Sequence, residues 1–130
     1  MTQEEKELLI KDISARLPYH PIVHIHDIDV IDYDNYLYPD YIEKMMSYSM
    51  TLKPYLRPMS SMTKEEKIDY ERLCSYCLEQ DTVNYNITTL DRTQLVYVID
   101  WLNAHHFDYR GLIEKGLAIE APEGMYNFNK

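Results

Sequence analysis

The sequence predicts an α+β fold, a single small domain over residues 1–130 with three to four helices and a short, mostly antiparallel sheet. Three observations support this prediction. Apolar residues at helical spacing follow two N-terminal capping patterns, and short segments rich in β-branched residues lie between the helical ones. At 130 residues, the chain suits one domain that buries roughly two-thirds of the surface that its unfolded form exposes.

The helices are predicted from their capping patterns and their apolar spacing. Thr2 is followed three residues later by Glu5, and Thr63 by Glu66, which is the pattern of a capping box. In a capping box the threonine hydroxyl and the glutamate carboxylate each accept a bond from a backbone amide that the helix leaves unpaired. The sequence therefore predicts helices over residues 2–16, 63–79 and 90–104.

The strands are predicted from segments rich in valine, isoleucine, threonine and tyrosine. Pro39 closes the first strand region, and Asp40 can cap a brief helix through Met46. The prolines within residues 53–61 predict an extended connector. Strands are predicted over residues 22–26, 28–33, 48–52 and 82–87.

The C-terminal tail contains all three glycines of the chain, within its last 20 residues. Glycine supplies backbone conformations that side chains disfavour, so this concentration predicts a docked tail with a specified path. Asp108 can cap a short fourth helix over residues 112–115, with Gly116 as its C-terminal stop and an extended piece over 117–119.

The charge of the chain is acidic and unevenly distributed. The net charge of −9 opposes direct binding to nucleic acid, because such proteins present lysine and arginine to the phosphates. Residues 17–43 contain no lysine or arginine but six acidic residues and five tyrosines. Tyrosine is enriched at protein interfaces, so this stretch predicts a partner-binding face, with a solvated hairpin as the plainer alternative. The residues predicted to carry the face are Asp27, Asp29, Tyr33, Tyr36, Tyr38 and Tyr41.

The histidines suggest a further site. His24 and His26 project from one face if their segment is a strand, and a carboxylate from the next strand would complete a set of divalent-metal ligands. A half-exposed strand face explains the same pattern. His105 and His106 follow the third predicted helix, where a histidine can bond the last helical carbonyls.

The arginines Arg57 and Arg110 lie in stretches punctuated by proline or glycine. They could form an anion pocket, for instance for a nucleotide, although internal ion pairs suit so acidic a chain better. An active site built on His106, Asp108 and Arg110 is a weaker alternative, since no catalytic motif accompanies these residues. No cofactor is expected.

The two cysteines, Cys74 and Cys77, fall late in a predicted helix without a second cysteine pair. This placement favours reduced, half-buried thiols over a zinc or redox site. The longest apolar stretches are far shorter than the ~20 residues that span a bilayer, and the acidic N-terminus is unlike a secretion signal. We therefore expect a soluble cytoplasmic protein that does not enter a membrane.

Several blocks of the chain resemble a family of small proteins from gut Bacteroidetes bacteria, their prophages and crAss-like phages. The resemblance covers about half of the chain, and the family has no assigned activity. The residues that carry it are Met1–Arg16, Leu17-Pro18-Tyr19, Lys53–Thr63 with its sequence KPYLRPMSSMT, and Asn103–Asn127 with its sequence NAHHFDYRGLIEKGLAIEAPEGMYN.

The resemblance implies an accessory protein of a phage or mobile element. Together with the acidic, tyrosine-rich stretch, it predicts a non-catalytic binder of a host protein. One alternative is a protein that sequesters a small ligand, such as a nucleotide signal of host defence. The other is a metal-dependent enzyme that uses His24 and His26.

Overall fold

The predicted α+β class is confirmed by a computed structural model that describes residues 1–27, 32–47, 50–79 and 92–126. Helices and short strands alternate along the described chain. They are α1 (Gln3–Arg16), β1 (Ile22–Asp27), β2 (Tyr33–Tyr36), α2 (Pro39–Met46), β3 (Met50–Leu56), α3 (Lys64–Glu79), α4 (Arg92–Ala104) and β4 (Ile119–Glu120).

The sheet has the strand order β2-β1-β3-β4. β1 pairs antiparallel with β2 on one side and with β3 on the other, and the two-residue β4 pairs parallel with β3. Two of its three pairings are therefore antiparallel, as the sequence predicts. This order makes β2 an edge strand and β1 a central one.

The core lies between α1 and α2 and one face of the sheet. Leu9 and Ile13 of α1 join Val23 and Ile25 of β1, all fully buried. Further members come from α2, from β3 and from the tail, so one core holds the N-terminal and C-terminal parts of the described chain together. These further members are Leu37, Tyr41, Met45, Met50, Leu52, Leu56, Leu112, Leu117 and Ala118.

Both predicted capping boxes are confirmed. The Glu5 amide donates to the Thr2 hydroxyl at 3.1 Å, and the Thr2 amide donates to the Glu5 carboxylate at 2.9 Å. Thr63 and Glu66 exchange the same two bonds, at 3.1 and 2.9 Å, before α3. The third predicted helix corresponds to α4, and the predicted brief helix before Met46 corresponds to α2.

Two strand predictions are shifted in the structure. β2 occupies residues 33–36, so only one residue of the strand predicted over 28–33 belongs to it; residues 28–31 lie outside the described chain. β3 extends to Leu56 through the predicted connector and through Pro54. Pro54 lies opposite Val23, whose main chain bonds to β2, so the missing proline N–H removes no bond between β1 and β3. The strand predicted over 82–87 lies outside the described residues.

The predicted fourth helix is wrong, because residues 112–116 form a turn. The capping residue is still correct: the Asp108 carboxylate accepts from the amides of Leu112 at 2.9 Å and Ile113 at 3.0 Å. Gly116 then adopts a φ of +74°, which directs the chain back towards the core before a helix can extend. The extended piece predicted over 117–119 begins later, at Ile119.

The predicted docking of the tail is confirmed. Phe107 is fully buried, and its neighbours bond to the main chain of Arg57: the Arg57 amide donates to the His106 carbonyl at 2.7 Å, and the Asp108 amide donates to the Arg57 carbonyl at 2.8 Å. Further along, the Tyr126 hydroxyl accepts from the Ile22 amide at 2.7 Å. The tail is thus bound to both β3 and β1.

Candidate functional site

The face of the sheet opposite the core carries polar and aromatic side chains. Side chains alternate along a strand, so the buried Val23 and Ile25 leave the residues between them on the other side. The pairings place side chains of β2 and β3 next to those of β1 there. We call this surface the open face, defined by His24, His26, Asp32, Asp34, Tyr36 and Tyr55.

A chain of hydrogen bonds connects the open face. His24 bonds to the Asp34 carboxylate through Nδ1 at 2.8 Å and approaches Asp32 through Nε2 at 3.4 Å. His26 Nδ1 bonds to the same Asp32. The Tyr55 hydroxyl donates to Asp34 at 3.0 Å. These bonds hold exposed side chains in one arrangement on three neighbouring strands and the turn beside them.

The same contacts shift the protonation of the open face. The bond to Asp34, reinforced by Asp32, raises the pKa of His24. The bond from His26, together with that from His24, lowers the pKa of Asp32. Both shifts favour a protonated His24 beside ionised carboxylates, and its imidazolium neutralises part of the acidic charge of the face.

The predicted partner-binding residues divide into an exposed and a buried group. Tyr36 and Tyr38 are about half exposed, at 54% and 47%. Tyr41, in contrast, is buried in the core and its hydroxyl accepts from Asn35, so it is wrong as a surface contact. Tyr33 is half-buried against the same core.

The two aspartates of that prediction have no described side chains. Asp27 ends β1, but its side chain lies outside the described part, as does all of Asp29. Asp32 and Asp34 take the place of Asp27 and Asp29 on the described surface, each with a side chain 49% exposed. The described aspartates of this face therefore differ from those predicted, whereas Tyr36 is a predicted residue that lies on it; the exposed Lys53 of β3, opposite His24, also lies on it.

Arg57 forms the internal ion pair that the sequence favours. Its two terminal nitrogens donate to the Glu66 carboxylate at 2.7 and 2.6 Å, and the guanidinium lies 4.2 Å from the centre of the Phe107 ring. Burial raises the pKa of Glu66, but the bonds from Arg57 and Thr63 outweigh burial and leave it below its usual value. One carboxylate thus caps α3 and fixes the residue that binds the tail.

Arg110 forms a second ion pair, in a network that the sequence analysis did not find. It donates to Asp12 at 3.1 Å, while Arg16 donates to the same carboxylate at 2.8 and 3.2 Å and to the Phe107 carbonyl at 2.7 Å. Asp12 and Arg16 are both fully buried. A signal was available: Leu9, Asp12, Ile13 and Arg16 follow the i, i+3, i+4, i+7 spacing of one buried helix face.

A cavity of about 690 Å³ lies between the start of α3 and the tail. Arg57 lines it, but Arg110 is not among its lining residues, so the two arginines do not form the predicted joint anion pocket there. Five carboxylates surround the single guanidinium: Glu65, Glu66, Asp69, Glu120 and Glu123. This charge opposes a phosphate-bearing ligand such as a nucleotide and suits a cation.

His106 is a buried residue of the tail. Its ring stacks on Tyr126 with centres 3.9 Å apart. Burial, with smaller contributions from Arg16 and Arg57, lowers its pKa to about 3, so the ring is neutral near pH 7. Asp108 is committed to the turn after it and Arg110 to Asp12. All three residues of the alternative active site therefore make structural contacts within the fold.

His105 lies at the end of α4. It bonds to the Trp101 carbonyl at 2.8 Å, as predicted for a histidine at a helix end.

Within the described ranges, no group of three or more histidine, cysteine, aspartate or glutamate side chains is arranged to hold a metal ion. His24 and His26 do share one face near carboxylates of the next strand, as predicted, but the rings bond to these carboxylates pairwise.

No protein-family model, curated protein or solved structure matches the chain. None of the helices in the described part is long and apolar enough to cross a membrane.

Proposed function

We propose that the protein is a non-catalytic accessory protein that binds a second protein through its open face. The observation that carries this proposal is the hydrogen-bonded network of exposed side chains around Asp34. An exposed aspartate and a half-buried tyrosine that are already held in place, as Asp34 and Tyr55 are, lose little conformational entropy when a partner binds. Surface side chains without such bonds would have to be ordered at that moment.

The β2 edge of the open face suits a basic partner. Asp32 and Asp34 are exposed at this edge, and the stretch over residues 17–43 lacks lysine and arginine. The exposed Lys53 of the same face lies opposite His24 on β3, on the other side of β1. With a net charge of −9 for the whole chain, long-range attraction would speed encounters with a positively charged surface. Tyr36 adds aromatic area beside the carboxylates, which is typical of protein interfaces.

The proposed partner is a host protein in the bacterial cytoplasm. The resemblance of the N-terminal and C-terminal blocks to phage and prophage proteins supports this choice. Accessory proteins of such elements act on host machinery by binding it, which requires a surface and no catalytic group.

The test is a capture experiment with matched variants. The wild-type protein, the double variant Asp34→Asn/Tyr36→Ser and the control Asp100→Asn/Tyr97→Ser are each used to capture proteins from a Bacteroidetes lysate. The control removes one exposed aspartate and one exposed tyrosine from α4, away from the sheet. We expect a partner that the wild type and the control retain and that the open-face variant loses by at least tenfold. A partner captured equally by all three proteins would contradict the proposal.

A second candidate function, the binding of a small ligand, is supported by the cavity beside α3. The sequence predicts an anion as the ligand, but the carboxylates that line the cavity favour a cation, such as a polyamine or a guanidinium compound. The ring of Tyr126, which also lines the cavity, can contact such a cation through its face.

A thermal-shift comparison tests this candidate. A ligand at about one hundred times its Kd stabilises the folded state by about 2.7 kcal/mol, which raises Tm by roughly 10 °C for a chain of this size. We expect spermidine to raise Tm and nucleotides to leave it unchanged, and Glu123→Gln to reduce the spermidine effect. A shift with nucleotides and none with spermidine would contradict the cationic assignment.

A further inference from the structure

Within the described part of the chain, no strand pairs with the outer edge of β2. In an antiparallel pair, successive residues direct their N–H and C=O groups alternately towards the partner strand and away from it. The Leu37 amide donates to the Pro21 carbonyl at 2.9 Å, so Leu37 and Pro21 form a hydrogen-bonded pair. Hydrogen-bonded pairs recur at every second residue, so Asn35 and Tyr33 also direct their main-chain groups towards β1.

Asp34 and Tyr36 therefore direct their main-chain groups away from β1. The position of Ile22, the residue opposite Tyr36, agrees with this phase: its amide bonds to Tyr126 on the β3 side. The Tyr36 amide is met by the side-chain oxygen of Asn35 at 2.8 Å, a local contact that a competing strand can replace. The edge thus offers the donors and acceptors that a further strand requires.

The features that limit pairing of an edge strand are present here only in part. β2 is four residues long and carries the charged Asp34, whereas lysine, proline and bulges do not occur within its sequence, YDNY. The side chains of β2 on the open face are Asp34 and the half-exposed Tyr36, with Asp32 just before the strand. A strand added here would meet two carboxylates, two residues apart, followed by a tyrosine.

We infer that β2 accepts an extended, basic segment of a partner protein as an additional strand of the sheet. Main-chain bonds form with Asp34 and Tyr36, and a lysine or arginine of the added strand lies beside Asp34 on the open face. Because side chains alternate, the specificity falls on every second residue of the segment. This inference rests on the proposed function and names the partner class and the mode of contact.

A second copy of the chain is a poorer occupant of the same edge. Pairing two copies of β2 would bring two acidic edges together, and antiparallel registers centred on residues 32–34 place Asp32 and Asp34 of one copy opposite the same residues of the other. Like charges directly opposite each other destabilise a strand pair, whereas lysine opposite aspartate stabilises it. Charge complementarity therefore selects a basic segment over self-association.

Defined peptides test the inference on the intact protein. The probe is a synthetic peptide of about eight residues with lysine alternating with threonine and valine, a length that matches a natural strand. Its matched control has the same sequence with N-methyl groups on alternate amides, which remove the hydrogen bonds of one edge and keep the charge. Binding is measured by calorimetry, and the contact is located by amide shifts and slowed hydrogen exchange at Asp34 and Tyr36.

We expect the lysine peptide to bind and the N-methylated peptide to bind at least tenfold more weakly. Asp34→Asn should weaken binding three- to tenfold, while Asp40→Asn, an exposed aspartate of α2, should leave it unchanged. Tyr36→Pro should also weaken binding at least tenfold, because proline blocks an outward amide without removing a bond to β1.

Four results would overturn strand addition. Equal binding of both peptides would show that charge alone is recognised, which would leave the proposed open-face binder in place. Equal losses in Asp34→Asn and Asp40→Asn would show that no particular edge is used. A concentration-dependent dimer that loses the slow exchange at Asp34 on dilution would assign the edge to a second copy. Absence of peptide binding together with retained host-protein capture would reject this inference and keep the proposed function.

Discussion

Replacement of Asp12 by asparagine should destabilise the protein more than any other single loss of a surface or core charge. Asp12 and Arg16 are fully buried, and Arg16 also donates to the Phe107 carbonyl of the tail. Asp12→Asn keeps the shape of the side chain but leaves the Arg16 guanidinium in the interior without its carboxylate. An uncompensated charge of this kind costs about 3–5 kcal/mol.

The magnitude can be measured by urea unfolding followed by circular dichroism. A domain of this size has a total stability of about 5–15 kcal/mol, and its free energy of unfolding falls by about 1–3 kcal/mol per molar urea. The midpoint should therefore drop by about 1–5 M. The control is Asp40→Asn, whose carboxylate lies 3.7 Å from Lys44 with both side chains about half exposed. We expect it to cost less than about 0.5 kcal/mol.

A double-mutant cycle shows whether the buried pair is the cause. Arg16→Met removes the other charge, and in Asp12→Asn/Arg16→Met neither of the two buried charges is left. The double variant should cost about 1–3 kcal/mol less than the sum of the single variants. Additive losses, or a midpoint for Asp12→Asn equal to that of Asp40→Asn, would refute the reasoning.

Three further predictions concern the tail. Tyr126→Phe should cost about 1–3 kcal/mol in urea unfolding, because the Ile22 amide loses its acceptor; an unchanged midpoint would contradict this role. His106 has its pKa lowered to about 3, so the unfolded chain takes up a proton below its ordinary value of 6.5 and the folded chain does not. Stability should therefore fall as the pH drops from 6.5, by about 2–3 kcal/mol at about pH 4.5. Asparagine tolerates the φ of +61°, so His106→Asn should fold and lose this part of the pH dependence. If the free energy of unfolding falls with pH equally in the variant and the wild type, His106 is not the cause. Gly116→Ala should lower the free energy of unfolding by about 1–2 kcal/mol, measured as a lower Tm. The added Cβ would meet no atom within 4 Å, so the cost comes from the positive φ alone, and an unchanged Tm would reject that explanation.

Local sequence patterns predict the helices well because their causes are local. The capping boxes at Thr2 and Thr63 involve residues three apart, and both form as predicted. The strand limits depend on long-range pairing instead. Pro54 is accommodated in β3 only because the phase of the sheet, set by residues some thirty positions earlier, turns its nitrogen away from β1.

The residues of the candidate site depend more on strand alternation and packing than on local sequence pattern. Asp32 and Asp34 come from the stretch over 17–43 that lacks basic residues and are exposed, while alternation along β2 exposes Tyr36 and turns Tyr33 towards the core. Tyr41 is buried for a different reason, because it lies on the core side of α2. The buried charges of α1 were missed because charged residues are ordinarily assigned to the surface, although their spacing matches the core positions.

The tail and the proposed docking edge are connected through β1. Tyr126 bonds to the main chain of Ile22, and Ile22 lies opposite Tyr36 of the edge strand. The tail is in turn held by Arg16 and by Arg57. The bonds that position β1 therefore come from outside β2. In the proposed function, the residues of β2 that contact a partner can change without loss of the bonds that hold the edge in position. The densely bonded tail and the proposed recognition strand thus lie in different parts of the sequence and are joined through β1.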